Sequence, residues 1–162
     1  MQFRRTLSRR SLIAGLGATS AAICVASARA ADTLPKMIVT KDPNCGCCSA
    51  WVDHIRAAGF PVDVVESPEM NRVKARFGVP QALASCHTAE IGGYVIEGHV
   101  PADSIKRLLA EKPKAKGLAV PGMPVGSPGM DVAGVEPDTY EVMLFGPEGQ
   151  RTFARYTGSR AI

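Results

Sequence analysis

The chain has 162 residues and is 46% hydrophobic, enough for one ordinary domain with a buried core. Its formal net charge of +4 is misleading, because Arg4, Arg5, Arg9, Arg10 and Arg29 all lie in the first thirty residues. The remainder carries 14 basic against 15 acidic side chains, so its charge gives no electrostatic footprint for nucleic acid.

Residues 1–30 read as a cleaved export signal. Arg4, Arg5, Arg9 and Arg10 form a positive start, Leu12 to Ala28 is uncharged and mostly apolar, and Ala28-Arg29-Ala30 supplies the small residues of a cleavage site. The apolar run is too short, and too rich in Ala, Gly and Ser, for a membrane span. Ser8-Arg9-Arg10-Ser11-Leu12 carries the paired arginines of a twin-arginine signal; an ordinary secretory signal is the alternative. The expectation is a periplasmic protein, free of the membrane once the signal is cut. Cys24 leaves with the signal, so the mature chain keeps Cys45, Cys47, Cys48 and Cys86. An even number in an oxidising compartment is compatible with two structural disulfides.

Residues 31–36 read as a linker to a domain over 37–162. Met37 to Thr40 is an apolar, partly β-branched run, hence a strand. A helix is predicted from Cys47 to Ala58, with Trp51, Ile55 and Ala58 on one face and Gly59 as the stop. Val62 to Glu66 reads as a second strand. Ser67-Pro68-Glu69 offers an N-cap and a first-turn proline for a helix ending at Phe77. Ser85 to Glu90 and Tyr94 to Val100 read as strands joined through Gly92-Gly93. A helix opened by Pro101-Ala102-Asp103 runs to about Lys112, with Ile105, Leu108 and Leu109 inward. Leu118 to Met130 is too rich in Gly and Pro for a regular element and is expected to be a long functional loop. Tyr140 to Phe145 and Thr152 to Tyr156 make a closing hairpin. The fold class is α/β: a thioredoxin-like β-α-β-α-β-β-α domain with a Gly/Pro/Met loop and a C-terminal hairpin. Pro80 stands where that fold keeps a cis proline.

The chemistry concentrates in Cys45-Gly46-Cys47-Cys48, three thiols at the start of a predicted helix. Unpaired backbone N–H groups and the helix dipole there favour thiolate, which is both a nucleophile and a soft metal ligand. Gly46 is expected to let the backbone turn tightly enough for several sulfurs to converge. Two chemistries compete. Thiol–disulfide exchange would use Cys45 and Cys48, which have Cys-x-x-Cys spacing, and leaves Cys47 without a task. Metal binding uses the extra thiol, and Cys86-His87 adds donors; thiolate and thioether select Cu(I), while imidazole suits copper and zinc. A four-cysteine zinc site is a further alternative. Met123 and Met130 sit in the loop at no regular period, and His99 lies at a strand end; packing alone explains a lone residue of either kind. His54, beside the Trp51/Ile55 face, reads as structural or solvent-exposed. Because thiols must lose protons to bind metal, affinity is expected to fall as pH drops.

Four stretches carry a resemblance: Asp42-Pro43-Asn44-Cys45-Gly46-Cys47-Cys48, Ser85-Cys86-His87-Thr88, Glu97-Gly98-His99-Val100-Pro101, and Pro121 to Met130. In the same order, over nearly all of the mature chain, they resemble the CopG-like family of periplasmic copper-resistance proteins, a domain long catalogued as of unknown function. The resemblance implies a thioredoxin-like fold, a multinuclear copper site and a redox role switching Cu(I) and Cu(II). It implies Cys45, Cys47, Cys48 and Cys86 as ligands, with His87, His99, Met123 and Met130 as candidates around them. The partners it implies are the metal ion and other periplasmic copper-handling proteins. Whether copper is stored, transferred or redox-cycled stays open, and so does an enzyme label.

Overall fold

The computed structural model describes residues 33–162. The export signal, its cut after Ala30 and Cys24 lie outside the described residues. The described elements, in order, are β1 (Met37–Lys41), α1 (Gly46–Ala57), β2 (Val62–Glu66), α2 (Met70–Phe77), a 3-10 turn (Gln81–Leu83), β3 (Thr88–Ile91), β4 (Tyr94–Glu97), α3 (Ala102–Glu111), β5 (Gly117–Ala119), β6 (Thr139–Gly146), β7 (Gly149–Thr157) and β8 (Arg160–Ala161).

One sheet runs β2-β1-β3-β4-β5-β6-β7-β8. Its first four strands are the predicted β-α-β-α-β-β-α arrangement. β1 pairs parallel with β2 (Met37 opposite Val62), antiparallel with β3 (Met37 opposite Ile91), and β3 pairs antiparallel with β4. The β3–β4 turn is tight because Gly92 and Gly93 both take positive φ, 56° and 85°, as a two-residue hairpin loop of this hand requires.

Strand alternation sorts the core onto two faces. Ile96, Leu118 and Leu144 join Met37, Val39, Trp51, Ile55, Ile105 and Leu108 in the main core. Their neighbours Val95, Ala119 and Phe145 point the other way and form a smaller core with Leu83, flanked by Phe77 and Val79. Thus α1 and α3 supply residues to one face, and the end of α2 reaches the other. Each fully buried large apolar side chain contributes about 1.5–3 kcal/mol, and the main core is where most of these side chains sit. Trp51 is fully buried with its indole N–H donating to the Val100 carbonyl at 2.9 Å.

Several expectations need correction. Helix α2 starts at Met70, not at Pro68; Glu69 is its N-cap residue and makes no side-chain cap, while Ser67 Oγ accepts from the Glu69 N–H at 3.2 Å. The third strand begins at Thr88 rather than Ser85. The stretch from Leu118 is not wholly irregular: Leu118 and Ala119 belong to β5, parallel to β4 and antiparallel to β6. Among the described residues there is no cis peptide bond, so Pro80 is trans. The residues that directly precede β3 are Cys86 and His87. The remaining loop is ordered by its own hydrogen bonds: Val125 N–H donates to Asp138 Oδ2 at 2.8 Å and Gly126 N–H to the Met130 carbonyl at 2.9 Å.

Candidate metal centre

Three segments converge at the N-terminal end of α1. The first is the β1–α1 connection. An Asx turn (Asn44 N–H to Asp42 Oδ1, 2.8 Å) and buried Lys41, whose Nζ donates to the Asp42 carbonyl at 3.1 Å, shape the run into Cys45. Cys45 caps α1 without a side-chain cap bond. Gly46 is an ordinary first helical residue, and a Cβ there would meet nothing within 4 Å. The expected need for glycine at that position is therefore not met.

The close approach comes instead from Gly129 in the Gly/Pro loop. It has φ +85°, and an added Cβ would lie 2.7 Å from both the Cys47 carbonyl oxygen and the Trp51 amide nitrogen. Only a residue without a side chain lets the loop lie against the first turn of α1. This contact seats the neighbouring Pro128 carbonyl over His99.

The third segment, Ser85-Cys86-His87, is held from beneath. Glu97 is fully buried; Oε1 accepts from the Ser85 N–H at 2.6 Å and from Lys74 Nζ at 2.7 Å, and Oε2 accepts from the Thr88 hydroxyl at 2.7 Å. Ser85 Oγ donates to the Gly122 carbonyl, which ties the Gly/Pro loop to the residue before Cys86.

These supports bring the donors together. Cys45 and Cys48 are joined as a disulfide, while Cys47 and Cys86 are free thiols. Cys47 Sγ lies 3.5 Å from Cys45 Sγ and 3.8 Å from Cys86 Sγ. Ligand atoms of Cys45, Cys47, Cys48 and Cys86 all lie within 4.8 Å of one another, and so do those of Cys86, His87 and His99. Cys86 is thus common to a four-sulfur group and a sulfur–imidazole group.

The imidazoles are set up as neutral donors. His99 Nδ1 is 2.9 Å from the Pro128 carbonyl, which can only accept, so Nδ1 carries the proton. Nε2 then turns its lone pair toward Cys86 Sγ, 3.2 Å away. Burial lowers the His99 pKa against the opposing hydrogen bond to Pro128. His87 is held well below the usual histidine range, first by burial and then by His99 and Lys74. Its ring lies 4.3 Å from the Trp51 ring, and both of its buried nitrogens have no hydrogen-bond partner among the described residues. Leaving a buried polar atom unpaired costs about 1–3 kcal/mol, and two in one ring mark a group that has a partner still to gain. Burial, then the neighbouring Cys47, pushes the Cys86 thiol up to about 11. The thiolate-favouring influence expected at the start of α1 thus does not govern Cys86, which lies off the helix.

A cavity of about 800 Å³ opens over the sulfurs and is lined by Cys45, Cys47, Cys86 and Met123 among others. Cys48 is fully buried and is not among the lining residues. Met130 is only partly buried and is not part of that wall; its backbone bonds to Ser127 and Gly126. His54 accepts from the Ala102 N–H at 3.2 Å, at the start of α3, which is the structural one of its two expected places. Sequence reasoning missed Lys74, Glu97 and Met70, the last of which also lines the cavity. Lys74 looks like any surface helix lysine, and the position of Glu97 beside Gly98-His99 was the one signal that pointed to it.

Residues 83–130 match the model of a family described as a protein of unknown function, DUF411. Two solved structures are similar to most of the described domain. One, of the copper resistance protein copG in Form 2, is 44% identical with a TM-score of 0.72, covering 76% of this chain and 98% of that one. The other, of copG in Form 1, is 44% identical with a TM-score of 0.71, covering 77% of this chain and 99% of that one. No curated protein matches the chain. The convergent sulfurs and imidazoles and the identity held over nearly the full length of both structures lead to one conclusion: the chain belongs to the CopG family of copper resistance proteins.

Proposed function

We propose that this is an exported copper-binding protein acting in copper tolerance or trafficking. Cys45, Cys47, Cys48 and Cys86 hold Cu(I), His99 and His87 complete the donor set, and Met123 and Met130 are thioether candidates around it. The observation that carries this reading is the position of Cys86. It stands between the Cys47 sulfur and the His99 Nε2 lone pair, beside a buried His87 whose nitrogens are unpaired. Soft sulfur with imidazole is the donor set that suits copper, and the Pro128 carbonyl behind His99 is the kind of partner that orients a ligating histidine. The CopG relatives are copper resistance proteins by name. The signal-like residues 1–30 support export, and among the described residues no helix is long and apolar enough to cross a membrane. Its partners in this reading are the metal and other periplasmic copper-handling proteins.

With the disulfide closed, Cys45 and Cys48 have no thiolate to offer, so the four-sulfur set is complete only after its two-electron reduction. That same disulfide favours a second reading, a thiol–disulfide oxidoreductase. Cys45 faces the cavity and Cys48 is buried, an asymmetry suited to an attacking and a resolving sulfur. This reading accounts for two cysteines and leaves Cys47, Cys86, His87 and His99 without a role. A redox-silent zinc site of four sulfurs would likewise leave His99 unused.

Titration of the reduced protein with Cu(I) against a competing chelator separates these readings. The expected result is tight binding, weakened at least about tenfold by Cys47→Ser, since even residues outside the ligand set contribute 10–100-fold. Binding unchanged by Cys47→Ser, together with turnover of a disulfide substrate, would give the site to the oxidoreductase.

A further inference from the structure

Two methionines line the cavity above the sulfurs, and only one of them sits where sequence reasoning looked for a ligand. Met123 comes from the Gly/Pro loop and is 54% exposed; Met70 is the first residue of α2 and is partly buried. Neither belongs to either hydrophobic core. Both are held in place by specific contacts. The Ser85 hydroxyl bonds the carbonyl of Gly122, so Met123 is anchored one residue from a tie to the Cys86 segment. Met70 follows Glu69, whose N–H is bound by Ser67 Oγ and whose carboxylate meets Arg72 at 2.7 Å. An apolar side chain left half in water at the opening of a sulfur-floored cavity gains little from packing.

We propose that Met70 and Met123 form a Cu(I) capture site at the mouth of this cavity, separate from the thiolate–imidazole cluster, which passes the ion down to Cys47 and Cys86. The inference rests on the copper reading above. Thioether sulfur is soft and neutral, so it selects Cu(I) over harder divalent ions. Three rotatable bonds let each side chain follow the ion. A thioether has no proton to lose, so capture does not wait on deprotonation. On transfer, two Cu–thioether bonds break and two Cu–thiolate bonds form. The Cys47 and Cys86 thiol protons pass to water, and copper stays Cu(I) throughout. Neither methionine takes part in the disulfide, so capture works whether Cys45–Cys48 is open or closed.

The test labels methionine methyl groups with carbon-13 and follows them by NMR. A Cys47→Ser/Cys86→Ser variant, with its disulfide closed, is titrated anaerobically with Cu(I) and, in parallel, with Ag(I). The Met70 and Met123 methyl signals are expected to move together in one event, while those of Met37 and Met143 stay. In the protein with all its cysteines, Met70→Leu/Met123→Leu is expected to slow loading from a Cu(I)–chelator complex about tenfold, the low end for residues beyond the ligand set. Two outcomes are kept apart. If the intact protein holds Cu(I) tightly but the two methyl groups do not move, or the double methionine variant loads at the original rate, the capture site is overturned and the cluster stands. If the methyl groups move but the intact protein holds copper no more tightly than the double cysteine variant, the capture site stands and the cluster reading falls.

Discussion

Replacing Cys86 with serine is expected to lower Cu(I) affinity by more than about 100-fold, beyond the 10–100-fold typical of residues outside the ligand set. The reason is geometric. Cys86 is the one donor shared by the four-sulfur group and the sulfur–imidazole group, 3.8 Å from Cys47 Sγ and 3.2 Å from His99 Nε2. Cys47→Ser removes a donor from one group, whereas Cys86→Ser removes one from both and leaves His99 facing a hard hydroxyl. The fold should survive, because Cys86 is only partly buried and a serine hydroxyl can still donate toward His99 Nε2. Competition titration gives the affinity, and circular dichroism with a thermal scan verifies the fold. An affinity within about threefold of the parent, where a tenfold change corresponds to 1.4 kcal/mol, would remove Cys86 from the ligand set.

Glu97→Ala is expected to be the most destabilising single change on the polar side of the site. The Lys74–Glu97 pair is 2.7 Å long, with side-chain exposures of 9% and 0%, so solvent screening does little to weaken it. Removing the carboxylate leaves the Lys74 ammonium buried with only the Thr88 hydroxyl at 3.2 Å, and leaves the Ser85 N–H without its acceptor. Breaking a buried pair from one side costs about 3–5 kcal/mol. At about 2–4 °C per kcal/mol for a chain of this size, the melting temperature should fall by roughly 6–20 °C. Neutralising both partners together, as Lys74→Met/Glu97→Gln, should recover much of that loss, because no bare charge remains in the interior. A thermal scan of both variants makes the comparison; equal losses in the two would mean that the charge pair is not what stabilises this corner.

The two results concern different layers of one site. Glu97 acts on the backbone that carries Cys86, Gly129 on the loop that carries the acceptor for His99, and the disulfide on which sulfurs are free. Of the three only the disulfide reaches the cavity, through Cys45, yet each decides where a donor atom sits.

Much of this was legible in the amino-acid order. Trp51, Ile55 and the Gly59 stop marked α1, and Val62 to Glu66 and the Gly92-Gly93 turn marked their elements because each has a period or a punctuation mark of its own. The cluster was legible too, since three thiols at a helix start are rare and chemically pointed. What escaped detection lacked local signal. Strand β5 has three residues, Gly117-Leu118-Ala119, too few to show alternation, and exists because β4 and β6 flank it. Strand β8 has two. The start of α2 was misplaced because Ser67-Pro68-Glu69 has the residue types of a cap while its serine closes a turn one step earlier. The Cys45–Cys48 pair was legible from its Cys-x-x-Cys spacing, but that Cys47 and Cys86 stay free instead of forming a second disulfide depends on where Cys86 arrives from 38 residues beyond Cys48, and no spacing rule reaches that far. The service of Lys74 to the Cys86 segment has the same character: it is a contact across 23 positions of sequence.

The most direct test of the central claim is copper X-ray absorption on the reduced protein loaded with Cu(I) and freed of excess metal. The account predicts retained copper with a dominant sulfur shell and an added imidazole contribution that disappears in His99→Ala. Copper lost on washing, or retained with only nitrogen and oxygen neighbours, would contradict it.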